Sequence, residues 1–182
     1  MLRIVLTGPE CSGKTTLVKK LAKHFGVQYV EEFALKYLEL IPNYKYSDLD
    51  DIAVGQHNLE LNLNLHERFK GKNKLLLCDT DILTIKIWSE VVFKKASPKI
   101  NNFVEEIASA NDGSIIYMLC SPEGIDWEFH PQRENPNDRD KLFLLYENLL
   151  KNLNFPHIIL RGDIETRFKD AVKSIEENAW YS

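Results

Sequence analysis

The sequence predicts an α/β fold whose parallel sheet carries a phosphate-binding loop, and three observations lead to it. Short apolar runs bounded by breakers alternate with longer stretches of helical periodicity, the pattern that βαβ crossovers leave. The runs are apolar throughout, as strands buried on both faces are. The signature G-x-x-x-x-G-K-[ST] stands between the first run and the first helical stretch, where a strand, a loop and a helix N-terminus together make an anion cradle. With 182 residues, 44% hydrophobic and 27% charged, the chain is expected to form a single domain over 1–182 around one core. That composition disfavours disorder, collagen-like repetition and a disulfide scaffold.

Taken in order, Ile4-Val5-Leu6 is the first strand, and Leu17, Val18, Leu21 and Phe25 share one face of the helix after it. Val27 to Val30 is the second strand. Ser47 to Phe69 carries two competing patterns: Leu59, Leu61, Leu63 and Leu65 alternate as in a strand, whereas Leu49, Ile52, Ala53, Gln56 and Leu59 fit a helical face. A helix is preferred because Ser47-Asp48-Leu49-Asp50 resembles a helix start. Leu75-Leu76-Leu77-Cys78 is the third strand, followed by a helix from near Ile82 with Ile85 and Trp88 on a mainly apolar face. Pro98 to Ala110 is a weaker helical segment ahead of the fourth strand, Ile115 to Cys120. Ser121 to Asn137 is irregular, and a loop that long in a small domain is often functional. A helix with Leu142, Leu145, Tyr146, Leu149, Leu150 and Leu153 on one face comes next. The strand Ile158-Ile159-Leu160 and a helix bearing Ile164, Phe168, Ala171, Val172 and Ile175 close the chain.

A net charge of −4 is a poor start for coating nucleic acid, so any phosphate chemistry is local. Cys11, Cys78 and Cys120 form no C-x-x-C pair, which suits a reducing compartment better than a disulfide framework or a closed zinc site. The N-terminal apolar run is too short for a secretion signal, and no stretch approaches the roughly 20 apolar residues that span a bilayer. The expectation is a soluble cytoplasmic protein with neither nucleic acid nor membrane as partner.

Gly8-Pro9-Glu10-Cys11-Ser12-Gly13-Lys14-Thr15 is the strongest signal in the chain. Its glycines let backbone N–H groups curl round phosphate oxygens, Lys14 can reach the β- and γ-phosphates, and the Thr15 hydroxyl can ligate Mg²⁺. Asp79 ends an apolar strand, the placement of a Walker B aspartate beside that metal. Asp81 has two open readings, a metal or substrate role within Asp79-Thr80-Asp81 or the cap of the following helix. Glu31 and Glu32 follow the second strand, at the sheet edge where catalytic groups gather. Glu32 can take a hydroxyl proton or orient a nucleophile, or simply decorate a solvated helix start. Arg133 and Arg139 lie at the end of the irregular segment, and Arg139 in a first helical turn opposes the dipole. A phosphate would reward that position, although pairing with Asp138, Asp140 or Glu134 is the alternative. Gly162-Asp163 either flanks a base or is a turn with a helix cap, and Trp88 either stacks on a substrate ring or packs in the core.

These residues resemble the P-loop kinases similar to the C-terminal ribosylnicotinamide kinase domain of NadR, a family of AAA-type ATPases of NAD metabolism. The resemblance spans nearly the whole chain. It rests on Gly8 to Thr16, Glu32-Phe33-Ala34, Gly55-Gln56-His57, Asp79-Thr80-Asp81, and Trp127 with Arg133 and Arg139. It implies a three-layer, nucleoside-kinase-like P-loop NTPase fold with a five-stranded parallel sheet and a lid over about 121–139. The activity implied is transfer of the ATP γ-phosphate to a ribosyl hydroxyl, with nicotinamide riboside the leading acceptor. By carry-over, Gly8, Glu10, Cys11, Ser12, Gly13, Lys14, Thr15 and Thr16 would hold ATP, with Arg139 and Gly162 beside it. Thr15 and Asp79 would hold Mg²⁺, Glu32, Gln56 and Asp81 would line the acceptor pocket, with Trp88 beside them on its own ring reading, and Lys14, Glu32, Asp79 and the lid residues Arg133 and Arg139 would serve transfer. With the phosphate loop opening at Gly8, the adenylyltransferase domain of NadR is expected to be absent and one step to be performed. Two departures bear on the acceptor: His130-Pro131 stands where many relatives carry Asp-Gly, and Leu35 where many carry Arg.

Other classes remain beside this one. A regulatory ATPase would use the same loop as a conformational switch, and another nucleoside or nucleotide kinase would share the machinery. A nucleoside monophosphate kinase needs a second anion site, whereas Glu31, Glu32, Asp79 and Asp81 suggest a neutral or cationic acceptor such as the positive ring of nicotinamide riboside. GTP specificity is unsupported, since Asn73-Lys74-Leu75-Leu76 lacks the aspartate of a base-reading N/T-K-x-D run. Oligomeric state is left open by the sequence.

Overall fold

A computed structural model describes residues 1–70, 75–128 and 137–179. Strands β1 (Leu2–Thr7), β2 (Tyr29–Val30), β3 (Leu75–Asp79), β4 (Ile115–Cys120) and β5 (His157–Leu160) form one 5-stranded sheet in the order β2-β3-β1-β4-β5, with every pairing parallel. The helices are α1 (Lys14–Phe25), α2 (Phe33–Leu40), α3 (Asp48–Lys70), α4 (Ile82–Phe93), α5 (Pro98–Ser109), α6 (Arg139–Asn152) and α7 (Ile164–Ala179). No helix among the described residues is long and apolar enough to cross a membrane.

The side-chain alternation of the strands splits the core into two layers. Ile4, Leu6, Leu77, Ile116, Met118 and Leu160 pack with α1 and α7, while Val5, Leu76, Tyr117 and Leu119 pack with residues of α2 to α6. The result is the expected three-layer arrangement. Its strand order reverses at β1, which lies between β3 and β4 although the chain leaves it for β2. The C-terminal edge of β1 is therefore the switch point, where an open α/β sheet leaves a crevice.

Several boundaries differ from the sequence reading for identifiable reasons. β2 is shorter than Val27 to Val30 because the Val27 N–H closes the end of α1 on the Ala22 carbonyl at 3.1 Å, after Gly26 turns the chain at φ 65°. The ambiguous stretch from Ser47 is helical: Leu61 and Leu65 face solvent, whereas Leu49, Ile52, Ala53 and Gln56 are buried. Leu145 is a correction, since it lies outside the buried face of α6 and Phe143 is inside. Helix α2 had no element assigned to it; eight residues with no side-chain cap leave little periodic signal.

Candidate active site

The phosphate loop joins β1 to α1 at the switch point. Gly8 must be glycine there, because a Cβ would stand 2.6 Å from the Cys120 carbonyl oxygen and φ is 133°. Ser12 donates its hydroxyl proton to the Pro9 carbonyl at 2.8 Å, and Lys14 folds back to donate to the Gly8 and Pro9 carbonyls at 2.9 and 2.7 Å. Thr16 is exposed and Glu10 partly so. Cys11 at φ 49° and Gly13 at φ 80° turn the loop into the N-terminus of α1.

Strand register brings the first carboxylate to this loop. Leu6 pairs with Asp79, and the Thr80 N–H donates to the Leu6 carbonyl at 3.0 Å, which fixes Asp79 beside the root of the loop. Asp79 is buried and hydrogen-bonded with the Thr15 side chain, yet its Oδ1 has no partner. Burial raises its pKa, opposed by Thr15 and Lys14. A buried carboxylate oxygen left unpaired beside a hydroxyl is a hard oxygen pair with capacity for one more bond, which fits Mg²⁺. Among the described residues no group of three or more His, Cys, Asp or Glu is placed to hold a metal, and Mg²⁺ on one carboxylate plus substrate phosphates needs none.

Glu32 is the second carboxylate. It sits at the head of α2 just past β2, and burial pushes it up to about 7, with Asp79 and Glu10 adding to the shift and Lys14 opposing it. The structure thus gathers Glu10, Lys14, Glu32 and Asp79. Glu31 instead turns to solvent and pairs with Lys36.

Gln56, expected in an acceptor pocket, has a different role. It is 1% exposed, its Oε1 accepts from the Phe33 N–H at 2.8 Å, and its Nε2 donates to the Glu31 carbonyl at 3.4 Å. It thus holds the backbone on both sides of Glu32. Next to it Gly55 faces Phe33 so closely that a Cβ would lie 2.2 Å from the ring. The Glu32-Phe33-Ala34 and Gly55-Gln56-His57 motifs are therefore one packing unit.

Asp81 is corrected from substrate residue to core cap. It is fully buried, accepts from the Leu83 N–H at 3.0 Å as the N-cap of α4, and takes hydrogen bonds from Tyr117 at 2.6 Å and Arg3 at 3.1 Å. Arg3 also pairs with Glu60 at 2.5 Å. Asp81→Ala strips Arg3 of one of its two carboxylates and leaves the buried Tyr117 hydroxyl and the Leu83 N–H without an acceptor, so it should lose about 3–5 kcal/mol of stability, and Tyr117→Phe about 1 kcal/mol. Urea unfolding would measure both, and an Asp81→Ala protein as stable as the parent would contradict the cluster.

Trp88 is partly buried against the core: its indole N–H donates to the Tyr44 hydroxyl at 3.0 Å and the two rings meet edge-on at 4.8 Å. Gly162 is a turn at φ 85° whose carbonyl accepts from Arg167, while Asp163 caps α7 by accepting from the Thr166 N–H at 2.8 Å. Arg139 does reach the loop, donating to the Cys11 carbonyl at 3.2 Å and the Ile125 carbonyl at 2.9 Å, over the Trp127 ring. Arg133 and His130-Pro131 lie outside the described residues.

Sequence reading missed Arg167, Arg3, Glu60 and Tyr117. For Arg167 a signal existed: it falls three after Ile164 and four before Ala171, a lone charge inside the apolar stripe of α7.

A phosphate loop at the switch point of this sheet, with Thr15 and a buried Asp79 beside it, defines a P-loop NTPase of the nucleoside-kinase-like fold. The chain belongs to the AAA domain family, which it matches over residues 3–167. It is 26% identical over 187 residues to the trifunctional NAD biosynthesis/regulator protein NadR of Salmonella typhimurium strain LT2, covering 96% of this chain and 42% of that protein. The chain thus spans less than half the length of that relative. Among solved structures, a NadR protein in complex with NR superposes with a TM-score of 0.71 at 22% identity, over 97% of this chain and 51% of the other. Deoxyadenosine kinase from M. mycoides with bound dATP superposes with a TM-score of 0.58 at 15% identity, over 96% and 100%. Both are likenesses of fold.

Proposed function

We propose that this protein is an ATP-dependent small-molecule kinase that transfers the γ-phosphate to a ribosyl hydroxyl, with nicotinamide riboside the leading acceptor. The observation that carries this reading is the meeting of Lys14, Glu32 and Asp79, two carboxylates in unlike surroundings that both feel one cation. Asp79, tied to Thr15 and with an unpaired oxygen, suits a metal; Mg²⁺ when bound would neutralise charge on the β- and γ-phosphates. Glu32, pushed up to about 7 and fixed by Gln56, suits a proton acceptor for a hydroxyl near neutral pH. Lys14 can exchange two loop carbonyls for phosphate oxygens.

The likeness to NadR, one structure of which is described with NR, supports a riboside acceptor. The acidity suited to a positive ring rests on Glu32 and Asp79, because Glu31 pairs with Lys36 and Asp81 with Arg3. Segment 121–128 and Arg139, packed on the phosphate loop, are the proposed lid base.

ADP release from Mg-ATP, with and without nicotinamide riboside and beside a panel of ordinary nucleosides, tests the reading. One riboside should stimulate turnover strongly, with its phosphate seen by mass. ATP binding without stimulation by any acceptor would favour the regulatory ATPase instead.

A further inference from the structure

We propose that Arg167 is a positioning residue that sets the phosphate loop for its nucleotide by holding the Ser12 carbonyl outward and tying the loop to the segments after β4 and β5. Arg167 is 1% exposed and donates hydrogen bonds to three carbonyl oxygens. Nη1 donates to Ser12 at 2.9 Å, Nη2 to Glu123 at 3.1 Å and Nε to Gly162 at 2.7 Å. A buried guanidinium bonded to neutral carbonyls is expensive unless a negative charge comes near. The Glu123 carboxylate supplies part of that charge and the anion this loop is built to receive would supply more, so the inference rests on the phosphate-loop reading above.

The geometry of the peptide unit gives the effect its direction. In a planar trans peptide the C=O and N–H point opposite ways. With the Ser12 oxygen drawn to Arg167, the Gly13 N–H is turned to the other side, towards the anion. The preceding peptide is set in the same manner, since Arg139 draws the Cys11 carbonyl and so turns the Ser12 N–H. Each arginine spends a further bond on segment 121–128, Arg139 at Ile125 and Arg167 at Glu123. Two successive peptides of the loop are thereby pinned from outside to the same neighbouring segment, and Arg167 adds the turn at Gly162. The planar fork spreads three bonds over three nitrogens, whereas a lysine ammonium keeps the charge and three donors but gathers them on one atom.

The test uses Arg167→Lys and Arg167→Met in the whole chain, with the parent protein and Lys14→Ala as references. Mg-ATP affinity is measured by calorimetry and the Gly13 amide by NMR with and without Mg-ADP. Arg167→Lys should remain folded, bind Mg-ATP about tenfold or more weakly, and lose the ADP-induced downfield shift that the Gly13 amide shows in the parent. Arg167→Met should bind more weakly still; if it fails to fold, Arg167→Lys decides alone. A folded Arg167→Lys with parental affinity and an unchanged Gly13 response overturns the proposal. A parent protein that binds no Mg-ATP, or binds it equally well as Lys14→Ala, overturns the phosphate-loop reading itself, which is a separate result.

Discussion

Lys14→Ala should abolish ATP turnover, lowering kcat/KM for ATP by at least about a thousandfold, the scale on which charge stabilisers of phosphoryl transfer act. The ammonium lies across the loop on the Gly8 and Pro9 carbonyls, so it is already over the place where β- and γ-phosphates would enter. Its loss is also felt by both carboxylates, because Lys14 pulls Asp79 and Glu32 towards their charged forms. Without it, Glu32 should protonate at still higher pH, so turnover loses its cation and its base together. Stability should change little, since Lys14 is only partly buried at the first turn of α1. ADP release and thermal unfolding measured on the same sample check both halves, and turnover within tenfold of the parent would contradict the placement of Lys14.

Much of this arrangement was legible in the residues before any coordinates. The apolar runs gave all five strands because strands buried on both faces leave an unbroken signal, and the loop signature fixed where the sheet would bind an anion. Asp79 followed from its place at the end of a run, and Glu32 from the end of another. What stayed hidden were the relations between distant segments. Gln56 reads as a pocket residue because a polar side chain on an apolar helix face has the same look whether it meets a ligand or a backbone 23 residues away. Asp81 and Trp88 are open in the sequence for the same reason; the structure gives Asp81 the partners Tyr117 and Arg3 and sets Trp88 against Tyr44. The arginine ties at 139 and 167 escape any motif, because carbonyl oxygens carry no side-chain identity to search for.

Those ties divide labour among the charges. Arginines face carbonyls on the outside of the loop, where they shape backbone, while Lys14 and the carboxylates Asp79 and Glu32 face each other within the crevice, where a reaction would occur. On sequence alone Lys14, Glu32, Asp79 and Arg139 all read as phosphate, metal or substrate contacts, and Arg167 carries no such reading. Partners separate them: Arg167 is sealed from solvent and bonded to carbonyl oxygens, whereas Asp79, equally buried, keeps an unpaired oxygen and Glu32 keeps partial exposure.

Glu32→Gln should depress acceptor phosphorylation by about a hundredfold to ten-thousandfold, the usual worth of a positioned base, while ATP binding persists. Gln is nearly isosteric, so the Phe33 and Glu31 contacts of Gln56 should survive, and removing a negative charge near Lys14 should not weaken phosphate binding. The pH profile discriminates further. With its carboxyl pushed up to about 7, the parent should show kcat/KM for the acceptor rising with pH through about 7 and then levelling, and Glu32→Gln should lack that rise. Stability carries the opposite sign. Between 4.5 and about 7 the native protein keeps a proton on Glu32 that the unfolded chain has lost, so this group's contribution falls as pH increases across that window. Urea unfolding of the parent and of Glu32→Gln from pH 4.5 to 8 should therefore show the variant gaining stability relative to the parent as pH rises. A parallel pair of curves would mean that Glu32 titrates normally in the fold, and with it would go the base assigned to the acceptor hydroxyl.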